Sequence, residues 1–174
     1  MSERWFLALW PDSETRTALE AQLVGLIPFQ GRATHPLDRH LTLVFLGELD
    51  PDRLGGVESV ASQVSAPRFE LELDRIGHFA RSQILWCGPS RTPEPLTALV
   101  ADLQIRLAAR GIATDPRPYR PHLTLARRVR QGASLDLPAP VPWPVTELVL
   151  AFGRSGAPPR YRIQRRWPLG RVGI

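Results

Sequence analysis

The chain contains no lysine; all 22 of its basic residues are arginine. That excludes every mechanism built on a side-chain primary amine: a P-loop lysine, a Schiff base, a lysyl-adenylate nucleophile. An ATP-dependent ligase of the lysyl-adenylate kind is excluded with them. There is one cysteine, Cys87, so no internal disulfide and no multi-cysteine metal site can form. A reducing, cytoplasmic setting fits that. No long apolar run is present either. The stretch WFLALW at 5–10 is short and is stopped by Pro11-Asp12, so neither a signal peptide nor a membrane span is expected. Acid is scarce in the last third. Residues 117–174 hold 2 acids against 11 arginines, net +9, whereas residues 1–116 hold 15 acids against 11 arginines, net −4, for +5 in all. The guanidinium is a planar fork well matched to phosphate, so this asymmetry points to a polyanion-facing surface. The plainer alternative is a solvated, arginine-rich surface.

What the chain does have is a tetrapeptide used twice. His40-Leu41-Thr42-Leu43 and His122-Leu123-Thr124-Leu125 lie 82 residues apart, close to half of the 174 residues. Both copies read as strand, and on a strand residues i and i+2 share a face. His and Thr therefore stand on one side and the leucines on the other. Repetition at so long a period suggests an internal duplication. Duplicated units pack about a pseudo-twofold axis, which would bring the two imidazoles to face each other across one cleft.

The rest of the chain fits one domain of ordinary size, 43% hydrophobic. A strand at 4–10 leads to a helix capped by Asp12 or Ser13, with Leu19, Leu23, Leu26 and Ile27 at helical spacing and Pro28 as its stop. A loop over 29–38 precedes the strand at 39–47. Asp50-Pro51 opens a second helix with Leu54, Val57, Ala61 and Val64 on one face. Strands are expected at 69–76 and 84–87, joined by a turn around 77–82. A third helix spans 94–110, with Gly111 beyond its end. The strand at 122–127 follows the loop DPRPYRP. Residues 133–144, with prolines at 138, 140, 142 and 144, read as a stiff surface connection. Strands at 145–152 and 160–169 close the chain. In the last, Arg160, Arg162 and Arg166 share one face and Tyr161, Ile163 and Trp167 the other. The fold class is thus α+β: a bilobal, pseudo-twofold duplicated unit, with two mostly antiparallel sheets around a central cleft and helices outside. The expectation is a single domain, 1–174, of two interleaved lobes, the first repeat covering about 1–88 and the second about 89–174.

Two imidazoles form an acid–base couple near neutral pH. Displacement at the phosphorus of a cyclic phosphodiester asks for such a couple, because nucleophile and leaving group lie on opposite sides. Thr42 and Thr124 can donate to the non-bridging phosphate oxygens. Arg127 is a further phosphate-binding candidate, although its odd offset from His122 requires a bulge or its own length to reach the site. Phe45, Tyr119 and Arg120 are candidate base or RNA contacts; core packing is the expectation for Phe45. His35 and His78 read as surface or loop residues. No H-x-H or HExxH spacing occurs, so neither metal nor cofactor is expected.

On these residues the chain resembles the two-histidine (2H) phosphoesterase superfamily with its HXTX motif, and within it the RNA 2′,3′-cyclic phosphodiesterases, also called 2′-5′ RNA ligases. RWFLALWPD is similar to the family's opening strand, HPLDRHLTLVFLGEL and YRPHLTLAR to its two motif regions, and RYRIQRRWPL to its closing strand. GRSGAPP and the 133–144 segment depart from the pattern. The resemblance implies metal-independent hydrolysis of a 2′,3′-cyclic phosphate RNA end to a 2′-phosphomonoester. It implies His40 as proton donor to O3′, His122 as proton acceptor from water, and Thr42, Thr124 and Arg127 as phosphate ligands. It also implies reverse, ATP-independent 2′-5′ joining, with tRNA fragments as one candidate RNA. From the residues alone the two histidine roles are interchangeable. A monomer without a membrane partner is expected. Two other readings stay open: a phosphodiesterase for small cyclic nucleotides or ADP-ribose cyclic phosphate, and a non-catalytic RNA-binding module.

Overall fold

The computed structural model describes residues 3–26 and 30–170. They form strands β1 (Arg4–Leu9), β2 (Arg32–Ala33), β3 (Leu41–Gly47), β4 (Phe69–Phe79), β5 (Ile84–Gly88), β6 (Leu123–Arg127), β7 (Leu135–Val145), β8 (Glu147–Gly153) and β9 (Tyr161–Pro168). The helices are α1 (Ser13–Leu23), α2 (Pro51–Gln63) and α3 (Glu94–Ala108), with a 3-10 turn at Pro36–Asp38. Helix starts follow the sequence signals. The Asp12 carboxylate accepts from the Thr15 amide at 2.7 Å, and Asp50 accepts from the Arg53 amide at 2.8 Å with Pro51 in the first turn. At the end of α3 the chain turns through Gly111 at φ +70°, the left-handed conformation that glycine takes without steric cost. Helix α1 ends earlier than expected, at Leu23 with Val24 as its cap, so Leu26 lies in the turn beyond it; Ile27 and Pro28 fall outside the described residues.

The strands run in the order β7-β4-β5-β6-β3-β1-β8-β9, with β2 beside β6. The two expected sheets are the wings of this one path, β6-β5-β4-β7 and β3-β1-β8-β9. They meet where β3 and β6 cross antiparallel, at a single registered pair, Leu41 against Leu123. Each wing draws two strands from residues 1–88 and two from residues 89–174.

One face of the sheet carries the core. Leu19 of α1, Val57 and Val60 of α2 and Leu96, Leu99 and Leu103 of α3 join Leu7, Leu41, Leu73, Leu123 and Trp143 in one buried cluster. The other face has a smaller cluster, Phe6, Ala8, Val149 and Ala151, with Trp10, Tyr161 and Ile163 packed on it. Among the described residues no helix residue belongs to this second cluster, so that face is left open.

Three expectations are corrected. The turn placed at 77–82 begins later: β4 runs to Phe79, so His78 is a strand residue whose Nε2 donates to the Val129 carbonyl at 2.7 Å. The proline segment is no connection but β7, at the edge of the sheet and paired with β4. Leu137, Val141, Trp143 and Val145 point inward, while Pro138, Pro140, Pro142 and Pro144 alternate outward. An edge strand leaves every second amide without a partner, so proline at those positions costs no ladder bond. In β9 a register shift falls at Gln164, since Ala151 pairs with Ile163 and Leu150 with Arg165. The shift reverses side-chain parity. Arg166 therefore joins the face of Tyr161 and Ile163, and Trp167 enters the main core.

Trp143 is 2% exposed and anchors β7 beneath α1. Trp143→Ala should cost about 3–5 kcal/mol, as truncation of a large core aromatic does, read from the denaturant midpoint in equilibrium unfolding.

Candidate active site

The two tetrapeptides meet where the wings join. His40 and His122 each occupy the residue just before their strand rather than a place within it. The Leu41–Leu123 pair fixes the register. Continued by one residue each way, it sets His40 opposite Thr124 and Thr42 opposite His122. The imidazoles then lie on a diagonal of the ladder, a spacing of roughly 7–8 Å between backbone positions, with the threonines at the other two corners. Both leucines of the rung are fully buried on the helix side, so the four polar side chains project to the open face.

Each motif strand then contains a bulge at the same place. Ala8 pairs with Thr42 but Leu7 with Val44, leaving Leu43 as the extra residue. Trp86 pairs with Thr124 but Leu85 with Ala126, leaving Leu125 as the extra residue. A bulge puts two successive side chains on one side and reverses the alternation beyond it. Leu43 and Val44 are both buried, as are Leu125 and Ala126. The next residue in each strand, Phe45 and Arg127, is therefore returned to the open face. This resolves the odd offset of Arg127. It also corrects the expectation for Phe45, which is 52% exposed rather than packed in the core.

His40 sits in a box of rings. Phe6 stacks on it at 4.6 Å and Trp10 at 4.9 Å, and Tyr161 meets it edge-on at 4.8 Å. Three parts of this box hang from the 3-10 turn. The Leu37 carbonyl accepts from the Trp10 indole at 3.3 Å. The Asp38 carbonyl accepts from His40 Nδ1 at 2.7 Å. The Asp38 carboxylate, 4% exposed, accepts from the Arg160 amide at 2.9 Å and the Tyr161 amide at 3.1 Å, which ties β9 to the turn. His35 holds the start of the turn, its Nδ1 accepting from the Leu37 amide at 3.2 Å. It is a cap rather than a loose surface residue.

His122 is held the same way, Nδ1 donating to the Arg120 carbonyl at 2.7 Å. Its neighbour is one ring edge, Phe79 at 5.0 Å, with Trp86 behind. Because each Nδ1 is committed to a carbonyl, each ring offers Nε2 to the site. Burial in the ring box lowers His40 from 6.5 to about 4; the Asp38 carbonyl opposes that shift, and the charges of Arg127 and His122 add to it. His122 is lowered too, first by burial, with the Arg120 carbonyl opposing and Arg127 adding. The Arg127 guanidinium thus acts on both imidazoles.

Among the sequence candidates, His40, His122, Thr42, Thr124 and Arg127 share the open face at the join. Thr42 and Thr124 are half-buried. Tyr119 does not present its ring as a base contact: it packs on the core, and its hydroxyl donates to the Thr42 carbonyl at 3.0 Å, bracing the first motif. Arg120 contributes its carbonyl, while its side chain is exposed. The sequence reading missed Asp38, Trp10, Phe6 and Tyr161. The one signal for the three rings was the aromatic content of the first and last strands; Asp38 had none. No group of three or more His, Cys, Asp or Glu side chains suited to a metal occurs among the described residues.

Comparison with known proteins agrees with this construction. The sequence model of the 2'-5' RNA ligase superfamily matches residues 13–154. The RNA 2',3'-cyclic phosphodiesterase of Escherichia coli is 33% identical over 147 residues, 82% of each chain. The enzyme of that name from Thermus thermophilus is 32% identical over 137 residues, 72% of this chain and 68% of its own. Among solved structures, E. coli LigT complexed with 3'-AMP superposes with a TM-score of 0.89 at 28% identity, covering 98% of this chain and 100% of that one. The pairing of wings, and of one HXTX motif with another across a single rung, defines a two-histidine phosphoesterase fold. The chain belongs to the 2'-5' RNA ligase superfamily.

A histidine whose folded-state pKa is depressed binds fewer protons in the native than in the unfolded state. Its contribution to stability is whole above pH 6.5 and is lost as pH falls towards 4. The melting temperature should therefore drop between pH 6.5 and 4, and His40→Phe, which keeps a ring in the box without titrating, should flatten that drop. An equally steep decline in the variant would remove His40 as its source.

Proposed function

We propose that the protein hydrolyses 2′,3′-cyclic phosphate ends of RNA to 2′-phosphomonoesters by two-histidine acid–base catalysis without a metal. The observation that carries this is a pair of imidazoles on one open face, each with Nε2 free, each beside a threonine, and both under the charge of Arg127. In the reaction the neutral Nε2 of His122 takes a proton from water as the water oxygen attacks phosphorus. The P–O3′ bond breaks, and the proton on His40 passes to O3′. Thr42, Thr124 and Arg127 hold the non-bridging oxygens, whose charge grows in the transition state. The exposed ring of Phe45 is available to stack on the terminal base. Relatives named RNA 2',3'-cyclic phosphodiesterase support the substrate class, and the LigT complexes with 3'-AMP and with phosphate fit a site for a nucleotide phosphate. With the 5′-hydroxyl of a second RNA end in place of water, the same groups would open the 2′,3′-cyclic phosphate to a 2′-5′ bond without ATP: His122 takes the proton of the hydroxyl, the P–O3′ bond breaks, and O3′ leaves with the proton from His40. An anionic phosphate seated beside Arg127 places a negative charge next to both rings, which opposes the depression caused first by burial and then by Arg127, and so favours a proton on one ring in the complex.

Incubated with a short oligonucleotide ending in a 2′,3′-cyclic phosphate, the protein should release the 2′-phosphate isomer, with or without EDTA. His40→Ala and His122→Ala should each lower kcat by roughly 100- to 10,000-fold while the fold, followed by circular dichroism, stays intact. Full turnover in either variant overturns the mechanism; a 3′-phosphate product reverses the assignment of the leaving oxygen.

The pH dependence follows from the imidazoles. Both are shifted below 6.5 in the free site, and kcat/KM reports the free protein. The bell of kcat/KM against pH should therefore peak below 6.5 and fall as rising pH removes the protonated ring. A maximum above pH 7.5 would contradict the burial argument.

A further inference from the structure

The positive charge of the last third of the chain is not spread evenly over the surface. Arg117, Arg154, Arg165 and Arg166 are ion-paired, with Asp115, Glu3, Glu58 and Glu147. The exposed arginines at the far end of β6 are different: among the described residues Arg32, Arg81, Arg127, Arg128 and Arg130 form no salt bridge. They come from both halves of the sequence and gather at one place. Arg32 is opposite Arg127 in the β2–β6 pairing, and Ile84 is opposite Arg127 on the other side, three residues after Arg81.

The bank is rigidly built. Val129, 1% exposed, is pinned by its amide donating to the Gln83 carbonyl at 3.0 Å and by its own carbonyl accepting from His78 at 2.7 Å. Arg128 and Arg130 flank that anchor, and Arg128 is held in the left-handed conformation, φ +60°. Gly31 lets β2 approach so closely that a Cβ there would lie 2.8 Å from the Arg127 carbonyl oxygen and 2.9 Å from the Val129 side chain. Five exposed arginines carried on this one stretch of backbone, with no salt bridge among the described residues, make a local positive field that a bound polyanion relieves. Arg127 is both the inner end of the bank and the arginine felt by the two histidines.

We propose that this bank is the track for the single RNA strand on the 5′ side of the cyclic phosphate, so that the strand leaves the site over the β2–β6 end and the β4–β5 turn, and not over β8–β9. The inference rests on the phosphodiesterase reading above and adds the direction and the extent of the substrate. Successive backbone phosphates meet Arg32, Arg81, Arg128 and Arg130, while the terminal phosphate enters between the imidazoles.

The test compares 2′,3′-cyclic AMP with an eight-nucleotide RNA ending in the cyclic phosphate, using wild type and the triple variant Arg81→Gln/Arg128→Gly/Arg130→Gln. Glycine at 128 suits the positive φ. KM for the octamer should rise roughly 10-fold, and the slope of its logarithm against log salt should shrink by about 0.7 for each phosphate that no longer meets an arginine. kcat on the octamer and kcat/KM on the mononucleotide should stay within about twofold of wild type, since no substituted residue holds the reacting phosphate. The exposed single variants Arg81→Gln and Arg130→Gln should each show part of the effect, so the outcome does not depend on the triple variant folding. An unchanged octamer KM and salt slope overturn the track. A parallel loss on the mononucleotide overturns it too, by moving these arginines into the reaction. A wild type inert towards both substrates overturns the phosphodiesterase reading, and the track falls with it.

Discussion

A single antiparallel rung, Leu41 against Leu123, governs the geometry of the site. Because the side chains of a strand alternate, burying both leucines under the helices commits His40, Thr42, His122 and Thr124 to the opposite face. A one-residue slip at that rung would drive all four into the apolar core, where unpaired polar groups cost several kcal/mol. The hydrophobic side of the sheet thus enforces the chemical side. The matched bulges at Leu43 and Leu125 complete the arrangement, each turning one more residue, Phe45 and Arg127, outward.

The two halves are alike in backbone and unlike in surroundings. Each imidazole donates Nδ1 to the carbonyl two residues earlier. Yet three rings enclose His40 and one ring edge touches His122. That difference gives the pseudo-symmetric pair unlike environments: burial depresses both rings, and the fuller enclosure falls on His40, the proposed proton donor, which must hold its proton against that burial. The Pro36–Asp38 turn is the device behind it. It fixes the Trp10 ring, the His40 tautomer and the start of the Tyr161 strand together, using two carbonyls and one buried carboxylate.

Much of this was legible in the chain. The doubled tetrapeptide carried the active face, and Asp12, Asp50-Pro51 and Gly111 carried the helix boundaries. What was lost depended on parity. Bulges in β3, β6 and β9 change which face a residue meets without leaving a mark in hydrophobic period, so Phe45 was assigned to the core and Arg166 to the wrong side. The prolines at 133–144 read as a stiff surface connection, although the alternation of Leu135, Leu137, Val141, Trp143 and Val145 was present and an edge position makes proline harmless. Charge counted along the sequence misplaced the basic surface. Ion pairs made across the fold cancel Arg165 and Arg166 of β9, and the group without a salt bridge includes Arg32 and Arg81 from the acidic half. The role of Asp38 had no local signature, because its partners lie more than 120 residues away.

The prolines of β7 have one more effect. An outermost strand ordinarily shows a ladder of idle amides to any neighbouring chain, and such ladders seed fibrils. Here Pro142 and Pro144 lie on the outer strand in the stretch where β7 is paired with β4, and an imino nitrogen has nothing to offer a newcomer. The sheet is sealed along that border by covalent chemistry rather than by charge, so crowding should not lengthen it from that side.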